Sequence, residues 1–208
     1  MAPRVTQARE PQFVLASASP RRRELLLQLG YRFVVMPVDV DESPGCAESP
    51  GDYVQRLAGA KALAAKERWT GRAALGFLGA DTAVAIDDRI LGKPRDRAHG
   101  MAMLSRLSGR VHTVWSAVAF CTDAGIDLEL QKSHVTFRKI EEHERAVYWA
   151  SGEPDDKAGG YGIQGLAAAF VSHLEGSYSG VMGLPLFETA QLLARNQIKA
   201  SPVLGEVP

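Results

Sequence analysis

The chain has 208 residues, 46% of them hydrophobic, enough to bury one large core or two lobes around a shared sheet. Lys+Arg and Asp+Glu are both 24, so the formal net charge is zero, and no basic excess calls for nucleic acid or an anionic membrane surface. The two cysteines, Cys46 and Cys121, lack metal-ligand spacing and are too few for a disulfide framework, which suits reduced thiols in a cytoplasmic protein.

Met1–Gln12 is polar, lacks an apolar signal-peptide core, and reads with Ser201–Pro208 as a tail, leaving 13–200 as the expected folded body. No apolar run approaches the ~20 residues that span a bilayer. Phe13–Ala16 reads as a short strand that feeds a helix with Ser19 at the N-cap and Pro20 at the first helical position. Leu25, Leu26 and Leu29 give that helix an apolar face and Gly30 ends it. Tyr31–Val40 is rich in valine and aromatics and reads as a second strand. A Pro/Gly/Ser-rich loop, Ser43–Gly51, follows, with Asp52 as the expected cap of a helix through Val54, Leu57 and Lys61.

Ala74–Ile86 reads as a strand or two, Asp87-Asp88 as a turn, and Gly92-Lys93-Pro94 as a loop. A helix is predicted over about 96–107, stopped by Ser108-Gly109. Val111–Cys121 and Ile126–Arg138 are two long strands joined through Asp123-Ala124-Gly125, a hairpin signal. Then come a helix at Glu141–Ala150, a glycine-rich loop at Ser151–Gly165, a strand at Leu166–Leu174 and a last helix at Leu184–Arg195. Early alternation of strands and helices, followed by a hairpin, points to α/β or α+β with a mixed sheet, not a purely parallel one.

Four segments carry chemistry. In Ser17-Ala18-Ser19-Pro20-Arg21-Arg22-Arg23, small hydroxyl residues open a helix whose free N–H groups and dipole favour an anion. Arginines in that first turn oppose the dipole, so a purely structural helix would place acids there. The misfit favours phosphate binding by fork-shaped donors over solvated arginines. In Gly79-Ala80-Asp81-Thr82 an acid enters an apolar run, and a buried carboxylate is costly unless it is paired or bound to metal. Lys61, Lys93 and Glu42 each read as ordinary surface charges alone. Gathered with Asp81 they read as phosphate-neutralising cations and metal-binding carboxylates. The segment Asp156–Gly165 has glycines that permit close approach to a ligand, and Gln164 could read a base edge by donating and accepting at once. There is no GxxxxGK[ST] motif, and the five histidines show no metal spacing.

Several ordered blocks resemble the Maf family of nucleoside triphosphate pyrophosphatases. They are Leu15–Arg22, Tyr53–Ala58 with Lys61-Ala62, Gly79–Thr82, Gly92–Pro94, Leu107–Gly109 with His112, and Gly183–Leu186. The resemblance runs from about Val14 to Leu193; the residues before Phe13 are unmatched, and Ser116 stands where family members often have Thr. It implies a long twisted mixed sheet flanked by helices, two lobes around a central cleft, as in Maf and inosine-triphosphatase-like folds, often dimeric. It implies an acid-anhydride hydrolase using Mg2+ or Mn2+, with Co2+ a third candidate. Asp81 corresponds to the proton acceptor, and Arg21, Thr82 and Gln164 to positions linked to substrate choice. Ser19, Arg22, Glu42, Lys61 and Lys93 match the polar cluster of the family's cleft, with Glu42 and Asp81 as metal ligands. Asp81 could take a proton, hold metal or do both. Asp156–Gly165 and Gly176-Ser177-Tyr178 resemble the subgroup that cleaves dTTP and UTP. The rival expectations are the 7-methyl-GTP subgroup and a nucleotide-binding regulator of cell division with weak turnover.

Overall fold

The computed structural model describes residues 10–71 and 76–200. Residues 1–9 and 201–208 of the expected tails, and Ala74 and Leu75 of the expected strand, lie outside the described residues. Gln12 does not behave as a tail, because its amide donates to Arg32 O at 2.8 Å and its side chain donates to Lys199 O at 2.7 Å.

Seven strands form one mixed sheet: β1 (Phe13–Leu15), β2 (Phe33–Val35), β3 (Phe77–Ile86), β4 (Arg89–Leu91), β5 (Val111–Cys121), β6 (Ile126–Phe137) and β7 (Val171–Glu175). Their order is β2-β1-β3-β5-β6-β7, with β4 paired to β3. β1 runs parallel to β2 and β3, and the remaining pairs are antiparallel. The parallel half needs crossovers, which α1 (Pro20–Gln28) and α2 (Pro50–Arg68) supply. The antiparallel half is built around the predicted hairpin, β5–β6. The mixed sheet expected from the element pattern is therefore observed, and of the two classes left open the fold is the α/β one.

Side chains of β3 alternate between two faces. Phe77 and Ala83 pack with Val54, Ala58, Ala62 and Ala65 of α2. Leu78 and Ala80 pack on the other face with Leu25 and Leu26 of α1 and with Leu192 and Leu193 of α6 (Leu186–Arg195). Farther along that second face, Val84 and Ile86 enter a separate core. It is shared with Leu104 and Leu107 of α3 (Arg97–Leu107) and Tyr148 of α4 (Glu142–Ala150). Thr82 falls between those two cores, where the sheet face is left open.

Gly79 sets the distance between β3 and α2. A Cβ there would lie 2.1 Å from Ala58 O and 2.7 Å from Ala62 N, so only hydrogen lets the helix backbone touch the strand.

Several boundaries differ from expectation. The second strand is three residues, not ten: it is an edge strand that pairs only with the short β1, and Pro37 has no N–H to extend the ladder. The helix expected to start at Asp52 starts at Pro50 and is capped by Ser49, whose hydroxyl oxygen accepts from Asp52 N at 3.2 Å. This repeats the Ser-Pro start of α1, a signal that outranks Asp52. In the expected strand Leu166–Leu174, residues Leu166–Phe170 form a 3-10 helix and β7 begins at Val171. The amides of Leu166 and Ala167 are held by the Glu153 carboxylate instead of a neighbouring strand. A short helix, α5 (Tyr178–Met182), was not expected. No helix among the described residues is long and apolar enough to cross a membrane.

Candidate active site

A cleft of about 850 Å³ opens where the N-terminus of α1, the middle of β3, the end of β4 and the glycine-rich segment meet. Its first wall is the turn into α1. Ser17 Oγ accepts from Ser19 N at 3.1 Å, and Ser19 Oγ accepts from Arg22 N at 3.4 Å, so the turn is locked by its own hydroxyls. No acid occupies the first helical turn. Arg22 Nε donates to Gly183 O at 2.8 Å and Nη1 to Ser17 Oγ at 3.5 Å, which fixes its guanidinium at the cleft wall. Arg21 lines the same wall, and its guanidinium has no hydrogen-bond or ion-pair partner among the described residues.

At the floor, Lys61 on α2 reaches the central strand. Its Nζ donates to Asp81 Oδ1 at 2.7 Å and is 2.6 Å from Glu42 Oε1. Lys61 and Asp81 are buried, whereas the Glu42 side chain is about half exposed. Burial raises the Asp81 carboxyl above its ordinary value; Lys61 and Arg22 oppose the rise and Glu42 adds to it. Glu42 also meets a burial penalty, but the Lys61 bond and charge, with Lys93 and Arg22, bring it below its ordinary value. The two carboxylates therefore differ: one is buried and raised, the other outer and held ionised.

Glu42 follows a loop with little regular structure, and Tyr53 anchors it by donating its hydroxyl to Glu42 O at 2.9 Å. Burial first, then Asp81 and Glu42, push the Tyr53 phenol up to about 12, so it stays a donor. Tyr53 enters the sequence reading only as part of a matching block and was given no site role, although it lies about two turns before Lys61 on the same helix.

Thr82 points to the opposite face of β3 from Asp81. Its Oγ1 lies 3.0 Å from Ser116 Oγ and 3.3 Å from Gly183 O, while the Ser116 hydroxyl donates to Gly180 O at 2.6 Å. A serine at 116 thus still supplies the hydroxyl that joins β3 to α5. Gly183 has φ 126°, a conformation that favours glycine, and its carbonyl accepts from both Arg22 and Thr82. Lys93, after β4, and Gln164, in the glycine-rich segment, are exposed residues of the cleft wall. The fold thus brings Ser19, Arg21, Arg22, Glu42, Lys61, Asp81, Thr82, Lys93 and Gln164 to one cleft. His112 is not among them: it is buried in the core, 2.7 Å from the Tyr161 hydroxyl.

The donor set fits a hard divalent cation. Glu42 and Asp81 stand side by side, each with one oxygen on the Lys61 ammonium. Asp81 Oδ2 has no protein partner among the described residues. No third His, Cys, Asp or Glu joins them among the described residues, so water and substrate oxygens would fill much of the shell. One or two carboxylates completed by water and phosphate is the usual set for Mg2+.

A family model described as Maf-like protein matches residues 12–196. The chain belongs to the Maf family. Among its relatives, a dTTP/UTP pyrophosphatase of Saccharophagus degradans is 56% identical over 180 residues, covering 86% of each chain. One of Alkalilimnicola ehrlichii is 53% identical over 191 residues, covering 90% of this chain and 94% of the relative. One of Pasteurella multocida is 48% identical over 188 residues, covering 88% and 94%. The Maf match begins at the Gln12 that ties β1 to β2 and ends at the last residues of α6, so it spans every element that builds the cleft. The membership of a pyrophosphatase family suggests a divalent metal without saying which.

Proposed function

We propose that this Maf protein hydrolyses dTTP and UTP to the nucleoside monophosphate and pyrophosphate. The observation that carries the reading is Asp81: a buried, raised carboxylate with one oxygen free of protein partners, at the floor of a cleft walled by Arg21, Arg22 and Lys93. The relatives' names agree with it.

In this reading Asp81 accepts the proton of a water that attacks the α-phosphorus. The new O–P bond forms as the bond from Pα to the bridging oxygen breaks, and that oxygen leaves with pyrophosphate. A raised carboxyl is a better base near neutral pH than an ordinary aspartate. Arg21, Arg22, Lys61 and Lys93 offset the charge of the triphosphate and the leaving group, and the dipole of α1, whose first turn Ser19 caps, adds to them. Glu42 and Asp81 are the residues that would hold a divalent cation, Mg2+ or Mn2+ with Co2+ as a third candidate, which supplies neutralisation of phosphate charge when bound. Thr82 and Gln164 select the base, Gln164 by accepting from N3–H and donating to O4 of thymine or uracil. The working form is a cytoplasmic homodimer; the free thiols Cys46 and Cys121 suit a reducing compartment.

A panel of nucleoside triphosphates, with pyrophosphate detection and with or without Mg2+, tests this. The expected result is fastest turnover of dTTP and UTP, dependent on metal. Faster cleavage of 7-methyl-GTP, or tight nucleotide binding without turnover, overturns it.

A further inference from the structure

We infer that Glu153 is a positioning residue for base selection, because its carboxylate ties together the two ends of the turn that carries Gln164. The inference rests on the role proposed above for Gln164.

Gln164 is exposed, and its side chain has no hydrogen-bond partner among the described residues. What aims it is the main chain on either side. Gly162 and Gly165 close a turn around it, with Gly165 N donating to Gly162 O at 3.0 Å. On the far side, Glu153 Oε2 accepts from Leu166 N at 2.8 Å, and Oε1 from Ala167 N at 3.5 Å. Those amides begin a 3-10 helix and have no partner of their own within it, so the carboxylate serves as their cap. On the near side the link runs through one relay. The Tyr148 hydroxyl donates to Glu153 Oε1 at 2.8 Å and accepts from Gly162 N at 3.2 Å.

The glycines fit this arrangement. A Cβ at 165 would lie 2.1 Å from Glu153 Oε2, and one at 162 would lie 2.8 Å from Lys157 Cε and 3.3 Å from Glu153 Oε1. The loop therefore wraps against the carboxylate at both ends of the turn, and Lys157 adds a bond from its ammonium to Glu153 O at 2.8 Å. Glu153 lines the cleft itself, so its cap is set at the wall where the base of a nucleotide would lie.

The test compares wild type, Glu153→Gln and Tyr148→Phe. Each is assayed for kcat and KM on dTTP and dGTP, and for amide hydrogen exchange at Leu166 and Ala167. Glu153→Gln keeps the volume but replaces one accepting oxygen with a donor. It is expected to speed exchange at these amides and to cut the dTTP/dGTP ratio of kcat/KM by about tenfold, mainly through KM for dTTP. Tyr148→Phe loses only the relay and is expected to move the ratio in the same direction by less. Faster exchange with an unchanged ratio would make Glu153 merely structural and overturn the inference; so would unchanged exchange. Should Glu153→Gln fail to fold, an unchanged ratio in Tyr148→Phe overturns it. A wild-type enzyme that does not distinguish dTTP from dGTP overturns the Gln164 reading instead, and the inference with it.

Discussion

Lys61 Nζ stands 2.7 Å from Asp81 Oδ1, with both side chains only 10% exposed, and the same ammonium is 2.6 Å from the outer carboxylate of Glu42. One cation thus serves two acids of different burial. A buried carboxylate without such a partner would be costly, and one with a perfect partner would be a poor base. Asp81 lies between: burial raises it and Lys61 limits the rise.

Asp81→Asn keeps the shape but removes the charge and the proton acceptor. The expected loss in kcat on dTTP is ~10²–10⁴ for loss of a general base. Steady-state kinetics on the purified variant checks this, with nucleotide binding retained as the control; near-wild-type turnover would sink the assignment.

Lys61→Met removes a charge that holds the Asp81 carboxyl down. A base must be ionised to act, so activity falls as pH drops below its pKa. With Lys61 gone that pKa rises further, and the acid limb of the pH–rate profile should move to higher pH. An unmoved limb would show that Asp81 is not the group titrating.

Gly79→Ala should loosen the site from behind. The added Cβ meets backbone atoms of α2, not a flexible side chain, so the helix must shift away from β3. Overpacking of this kind costs about 1–3 kcal/mol, which should lower Tm by several degrees. The shift also lengthens the reach from Lys61 to Asp81, so kcat should fall by more than the loss of folded protein explains. Calorimetry and kinetics on the same sample check both.

Gln164→Ala should change preference more than chemistry. kcat/KM for dTTP and UTP should drop more than for other triphosphates, narrowing the gap between them by about tenfold or more. An equal loss on every nucleotide would assign Gln164 to the phosphates instead.

Acid stability should carry the mark of His112. Burial lowers this imidazole to about 4, and its Nδ1 is buried with no hydrogen-bond partner among the described residues. A depressed folded-state pKa means that stability is complete above the unfolded value of ~6.5 and is lost as pH falls toward 4. The span is worth up to about 3 kcal/mol. His112→Gln, which can still bond the Tyr161 hydroxyl, should flatten the fall in Tm between pH 6.5 and 4. The same slope in both proteins would contradict this.

Much of the local structure is legible in the residues themselves. Ser19-Pro20 starts α1 as expected because capping is a contact within three residues, and the long hairpin follows from apolar alternation around Asp123-Ala124-Gly125. The same reasoning misplaced the start of α2, where Ser49-Pro50 repeats the α1 signal, and took the 3-10 helix at Leu166–Phe170 for strand. In the second case the deciding partner, Glu153, lies 13 residues away from Leu166, beyond the reach of any local pattern.

The site divides in the same way. That Asp81 is an acid in an apolar run, and that arginines sit in a helix turn which prefers acids, are properties of the sequence by itself. So are the neutral balance of charge and the blocks that resemble the Maf family. Only the tertiary structure decided that Lys61 is the partner of Asp81, because that depends on α2 touching β3 at Gly79. Only it placed Tyr53 under Glu42, and brought Arg22 and Thr82 to the one carbonyl of Gly183. The physical reason is range. Capping, alternation and turn chemistry act over a few residues and can be read along the chain. The pairing of a buried charge is set by which backbones pack together, and packing joins residues that the sequence keeps far apart.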